Sequence, residues 1–140
     1  MRDSFERSFT LYRDLAAGLD GSALSSRLRE LPSNSVGAQL WCVVGARESY
    51  SRAIEEGRWS GFACSLTDPL DPRLVRDALT SSEQAVRAVL QALASYDEAR
   101  DGLVLGLLEH EAQHHGQLIR YLYGLGLAIP DSWRARYALG

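Results

Sequence analysis

All three histidines of this 140-residue chain fall within one short stretch, as His110, His114 and His115. His110 and His114 frame HEAQH, a literal instance of the H-E-x-x-H pattern in which two imidazoles hold zinc and the glutamate activates its bound water. Residues four apart on a helix are neighbours one turn away, so both rings can reach a single ion. A purely structural pair would have the same spacing. Burying two imidazoles without partners, however, costs on the order of 1–3 kcal/mol each, which a shared ion offsets. The pair therefore reads as metal-ligating.

A peptidase needs more than these five residues. After His115 the chain has no further histidine, and its only acidic residue is Asp131. It also lacks the alternating pattern of a strand that could bind a peptide edge-on. The surroundings thus contradict the motif, and the third ligand has to come from elsewhere.

Cys42 is the candidate. In its helix, Arg47, Glu48, Arg52, Glu55 and Glu56 share one broad charged side. Ala38, Cys42, Val43, Ala46, Ser49, Tyr50 and Ala53 form the other, which turns Cys42 inward. A buried cysteine is often only a small hydrophobe, but a thiolate suits a borderline-soft ion such as zinc. Glu111, beside His110 on the flank of the seam, is the candidate proton acceptor; a solvated or ion-paired glutamate is the plainer reading. Gln117 could orient a substrate, and Tyr50 and Tyr121 could line a pocket or simply pack. Trp59, Phe62 and Trp133 are expected to cover one end of the molecule. Cys42 and Cys64 could also pair reversibly, since 22 residues of separation neither require nor forbid it.

The elements that must position these groups are helical. Phe5, Phe9, Tyr12 and Leu15 recur at helical spacing and predict a first helix over about 3–19. A connector with one short helical turn follows. Ser35 starts a second helix that Gly57 ends, and Asp71 with Pro72 starts a third running to about Ala94. The fourth begins near Asp97 and stops at Gly124 or Gly126, with a last turn from Asp131. At about 100° per residue, Leu103, Leu107, His110, His114, Leu118, Tyr121 and Leu125 fall within roughly 80° of arc. This seam faces the other helices, while His115 points about 100° away and cannot easily join the pair. Four amphipathic helices and one domain's worth of core, spanning 1–140, imply an all-α four-helix bundle.

Composition sets the outer limits. With 46% hydrophobic residues the chain can bury a core unaided. A net charge of −3 gives no general attraction to nucleic acid or anionic membrane. No apolar run is long enough to span a bilayer, and the charged N-terminus does not read as a signal peptide, so a cytoplasmic protein is expected. All 15 basic residues are arginine, which excludes lysine Schiff-base and P-loop chemistry.

With these motifs placed, the sequence resembles the DinB/YfiT-like superfamily. LLEHEAQHHGQLIRYLYGLGLAIPDSW is similar to that family's H-x-x-x-H-[RH]-G-Q-x-x-x-x-L-x-x-x-G-x-x-x-P ending, and SVGAQLWCVVGARESYSRAI to its second-helix motif. The likeness covers nearly the whole chain and implies an up-down-down-up four-helix bundle. It also implies one divalent transition metal, zinc or nickel, held by one histidine of the second helix and two of the fourth. His110 and His114 match the latter two. Cys42 stands where the family usually has the former, so either a thiolate replaces the imidazole or the metal is weakly held or absent. His115 occupies a position where many members have arginine, which suggests a structural role.

Characterised members include metal-dependent transferases that use low-molecular-weight thiols such as bacillithiol or mycothiol, and some isomerases. The resemblance thus implies a thiol S-transferase or hydrolase acting on a small electrophile, with a small-molecule thiol as partner; a homodimer is expected because bundles of this size often dimerise through an exposed helical face. The rival is a non-catalytic, dimeric, stress-related bundle with a degenerate or structural site.

Overall fold

Local capping chemistry divides the chain into six helices. The computed structural model describes residues 1–93 and 97–140. The helices are α1 (Arg2–Ala17), α2 (Gly21–Ser25), α3 (Val36–Glu56), α4 (Pro72–Ala92), α5 (Glu98–Leu125) and α6 (Asp131–Tyr137). No strand occurs among the described residues, so the protein is all-α. Asp20, Ser35, Asp71 and Asp97 each accept backbone N–H bonds from the first turn of the helix they precede. Such a cap stabilises its helix by about 1 kcal/mol. At Gly57, φ is +77°, a left-handed turn that glycine adopts without Cβ strain, and it closes α3 where expected. Gly126 closes α5 in the same way. The expected end of the third helix at Ala94 lies outside the described residues; α4 is described to Ala92.

Two apolar clusters make up the core. Phe5 and Phe9 of α1 meet Ala46 and Ile54 of α3, Val86 and Leu90 of α4, and Val104 and Leu107 of α5. The second cluster joins Leu11 and Leu15 with Leu40 and Val43, Val75 and Leu79, and Leu118 and Leu122. Between the clusters the long helices bury polar residues, among them Ser8, Arg47, Ser82 and Glu111. α3 packs on both α4 and α5, and α1 also touches α4 and α5.

The segment after Gly57 does not cap an end. It runs back along α3 as an extended strap. Ser49 Oγ donates to the Ala63 carbonyl at 3.1 Å and accepts the Ala63 N–H at 3.0 Å. The Glu48 carboxylate accepts the Ser65 hydroxyl at 2.8 Å. A Cβ on Gly45 would overlap the Phe62 ring, and one on Gly37 the Pro69 carbonyl, so glycine at these two positions lets the strap lie flat. Trp59 packs on Tyr50 at 5.0 Å and Phe62 on Trp41 at 5.2 Å, along the side of α3. The expectation that they cover one end is corrected: bonds from the strap backbone to α3 side chains fix them on its flank. Trp133 is fully buried, with its indole N–H donated to the Leu11 carbonyl at 2.7 Å. No helix among the described residues is long and apolar enough to cross a membrane.

Candidate metal centre

α3 and α5 bring three donors together. Cys42 Sγ lies 3.6 Å from His110 Nε2, which lies 3.2 Å from His114 Nε2. One ligand atom from each of the three residues falls within 4.8 Å of the other two. Nitrogens bound at about 2.0–2.1 Å to one tetrahedral ion sit about 3.4 Å apart, and a thiolate at about 2.3 Å sits about 3.6 Å from such a nitrogen. The Cys42–His110 and His110–His114 separations match that geometry, and Cys42 and His114 lie within 4.8 Å of each other.

The surrounding hydrogen bonds aim the donors. Gln39, one turn before Cys42, gives its amide N–H to Asn34 Oδ1 at 2.9 Å, and Tyr121 OH donates to the same oxygen at 2.6 Å. The Gln39 oxygen is therefore left to accept His114 Nδ1–H, at 2.5 Å. That bond fixes the tautomer and turns the His114 Nε2 lone pair toward His110 and Cys42. His110 Nδ1 is buried without a partner among the described residues. If it carries the proton, two Nε2 lone pairs face each other, an arrangement that a cation between them resolves.

Protonation states agree. Burial, then the neighbouring His110, pushes His114 down to about 4, and burial also lowers His110. Both rings are thus neutral and available as ligands near pH 7. Burial raises the Cys42 thiol, so an ion binding there must displace a proton.

Glu111 is not on the flank of the seam. It is fully buried, and its carboxylate takes Arg47 Nε at 2.6 Å, Arg47 Nη2 at 3.0 Å and the Ser8 hydroxyl. Burial alone would raise its pKa; the Arg47 charge and these hydrogen bonds outweigh that and hold it below the usual carboxylate range. A carboxylate so engaged is a weak proton acceptor. Arg47, expected on the charged side of its helix, is itself fully buried. It also bonds the Leu79 carbonyl and Ser82 Oγ, both at 3.3 Å, and its guanidinium lies 4.8 Å from the Phe9 ring centre. Arg47 and Ser8 were missed because hydropathy counts a charge as outward-facing. A signal existed: Leu40, Val44, Arg47, Ser51 and Ile54 follow one another at alternating steps of four and three, and all are buried. The buried face of α5 is Val104, Leu107, Glu111, His114, His115, Leu118, Tyr121 and Leu122, with Leu103, His110 and Leu125 at its half-buried edge.

His115 stays out of the donor group. Its Nε2 is 2.9 Å from Ser8 Oγ and its Nδ1 2.6 Å from Tyr137 OH. Because Ser8 gives its only proton to Glu111, His115 must donate from Nε2 and accept the Tyr137 hydroxyl at Nδ1. The resulting chain runs Tyr137 to His115 to Ser8 to Glu111. It rules out Ser8 as a His-activated nucleophile, for which the serine proton would have to pass to the imidazole. Gln117 lines a surface cavity with Gln39, Asn34 and Tyr121. Cys64 donates to the Trp41 carbonyl at 3.4 Å, and both cysteines are free thiols. No family model and no curated protein matches the chain.

Proposed function

We propose that this chain is a DinB/YfiT-like metalloprotein that binds one divalent transition ion, zinc or nickel, through Cys42, His110 and His114. The observation carrying the proposal is the convergence of the three donors within 4.8 Å of one another, with Cys42–His110 and His110–His114 at separations suited to a single tetrahedral ion. The grouping of the core supports an up-down-down-up bundle. The beginning of α1 shares a cluster with the ends of α3 and α4 and the beginning of α5, and the opposite ends share the other. An extended strap between α3 and α4 is what two parallel neighbours require.

The activity we assign is transfer of a small thiol to a small electrophile. A bound ion supplies Lewis acidity, lowering the pKa of a thiol or water at its open position. The protein's part is to hold His114 by its Nδ1–H to Gln39 and to keep both imidazoles neutral. Hydrolysis is the weaker assignment, because water also needs a base and Glu111 is engaged by Arg47. The non-catalytic reading is supported by Cys42 standing where the family usually has a histidine, and by the lack of a carboxylate beside the donors among the described residues. A homodimer is part of the proposal and is checked by sedimentation.

Metal analysis of purified protein tests the site. About one ion per chain is expected, lost in both His110→Ala and His114→Ala. Full metal content in both variants would end the proposal. Cys42→Ser reports separately on the thiolate: unchanged affinity removes it as a ligand. A panel of thiols with electrophilic acceptors then tests transfer, and no thiol consumption by the metal-loaded protein favours the non-catalytic reading.

A further inference from the structure

A cavity of about 170 Å³ opens between α1, α5 and α6, and its lining includes none of the three metal donors. Its floor is the Glu111 carboxylate with Ser8 and His115, and Leu11, Leu108 and Ala112 supply apolar walls. Arg7 and Arg136 stand at its mouth beside Tyr137. The Glu111 charge is matched by Arg47, and the chain Tyr137–His115–Ser8–Glu111 directs every hydroxyl and imidazole proton inward. The floor therefore offers a ligand no free donor. Neither Arg7 nor Arg136 has a carboxylate within ion-pairing distance among the described residues. What remains is a net positive mouth over a partly apolar interior.

We propose that this cavity binds a small organic carboxylate, its anionic head between Arg7 and Arg136 and a short aliphatic tail against Leu11 and Leu108. Guanidinium pairs carboxylate through charge-assisted, often bidentate hydrogen bonds, and the apolar walls favour an organic anion over an inorganic one. Trp133 provides an internal reporter, since its ring centre lies 5.3 Å from that of His115 and 6.1 Å from that of Tyr137.

Butyrate is the probe. It is titrated into the full 140-residue chain, labelled with nitrogen-15, at constant ionic strength held with sodium chloride. The indole N–H resonance of Trp133, assigned by elimination with Trp41→Phe and Trp59→Phe, should shift saturably. In the Arg7→Gln/Arg136→Gln double variant the affinity should fall at least about tenfold, the loss expected from removing a charge-assisted hydrogen bond. Both arginines are exposed, so the fold should survive, and an unchanged circular dichroism melt verifies it. Inorganic phosphate should bind more weakly than butyrate, having no tail for the apolar walls. No saturable shift, an unchanged affinity in the folded double variant, or phosphate binding as tight as butyrate would each overturn the assignment.

Discussion

Two polar constellations share α3 and α5 and differ in one respect. In the layer around Arg47 and Glu111 the acceptors are matched by donors from the protein itself: guanidinium to carboxylate, Ser8 to Glu111, His115 to Ser8, Tyr137 to His115. At Cys42, His110 and His114 the protein supplies the outer bond through Gln39 and brings the two Nε2 atoms to 3.2 Å, with Cys42 Sγ 3.6 Å from His110 Nε2. A closed network of buried charges is a specifying element, because only one helix rotation satisfies it. An open one has donors close enough to hold an ion, which is the basis of the metal proposal. The contrast lies within one helix pair: the buried Arg47–Glu111 pair is satisfied at the same rotation of α5 that brings His110 and His114 near Cys42.

The largest effect expected from breaking the contrast is on the closed side. Glu111→Leu leaves the Arg47 charge buried and unpaired, and should destabilise the protein by about 3–5 kcal/mol in urea unfolding. The double variant Glu111→Leu/Arg47→Met should recover part of that loss. A double variant no more stable than the single one would mean that the layer is not a coupled pair.

Acid should open both constellations in the metal-free protein. His114 and His115 have folded pKa values lowered to about 4 from an ordinary 6.5, burial being the first cause for each. With a depressed folded pKa, the unfolded chain binds the extra proton, so stability falls as pH drops from about 6.5 toward 4. From pH 7 to pH 5 the expected loss is about 2 kcal/mol per histidine, read from urea midpoints. Below that range Glu111, whose folded pKa is also lowered, adds to the loss as its carboxylate protonates. A stability profile flat between pH 7 and 5 would contradict the burial of both rings.

Gln39 belongs to the open site, and its replacement should be felt there. Gln39→Leu removes the acceptor for His114 Nδ1–H and should weaken metal binding by about ten- to a hundredfold, measured by competition with a chelator. Gln39→Glu keeps an acceptor and should retain most of the affinity. The smallest effect is on stability of the metal-free protein when a donor is deleted. His110 is half-buried with Nδ1 unpartnered, so His110→Ala should shift metal-free stability by less than about 1 kcal/mol while abolishing metal binding. A large loss of metal-free stability would place His110 in the closed network.

How far the sequence could be read varies between neighbouring residues. Ser35, Gly57, Asp71, Asp97 and Gly126 marked helix limits that the structure places at or next to them. The i, i+4 spacing of His110 and His114, with Cys42 on the small side of its helix, was enough to nominate the donor group. The expected seam of α5 holds Leu107, His114, Leu118 and Tyr121, which are buried, but counting Glu111 as polar shifts it toward Leu103 and Leu125 and leaves out Glu111 and His115. Gln39 was overlooked although it lies one turn from Cys42, since a lone amide carries no signature of its own. The strap along α3 was read only as an irregular segment; its course depends on the bare backbone at Gly37 and Gly45, which spacing alone does not distinguish from any helical glycine.

By itself, then, the sequence determined the helices, their limits and the residues able to ligate, because capping, propensity and one-turn spacing act within a few residues along the chain. Only the tertiary structure decided that Arg47 and Glu111 turn inward, that Gln39 aims His114, and that Ser8, His115 and Tyr137 form one directed chain. The cost of burying a charge depends on whether a partner tens of residues away arrives in register. For Arg47 and Glu111, separated by 64 positions, that partnership exists only once the helices have packed.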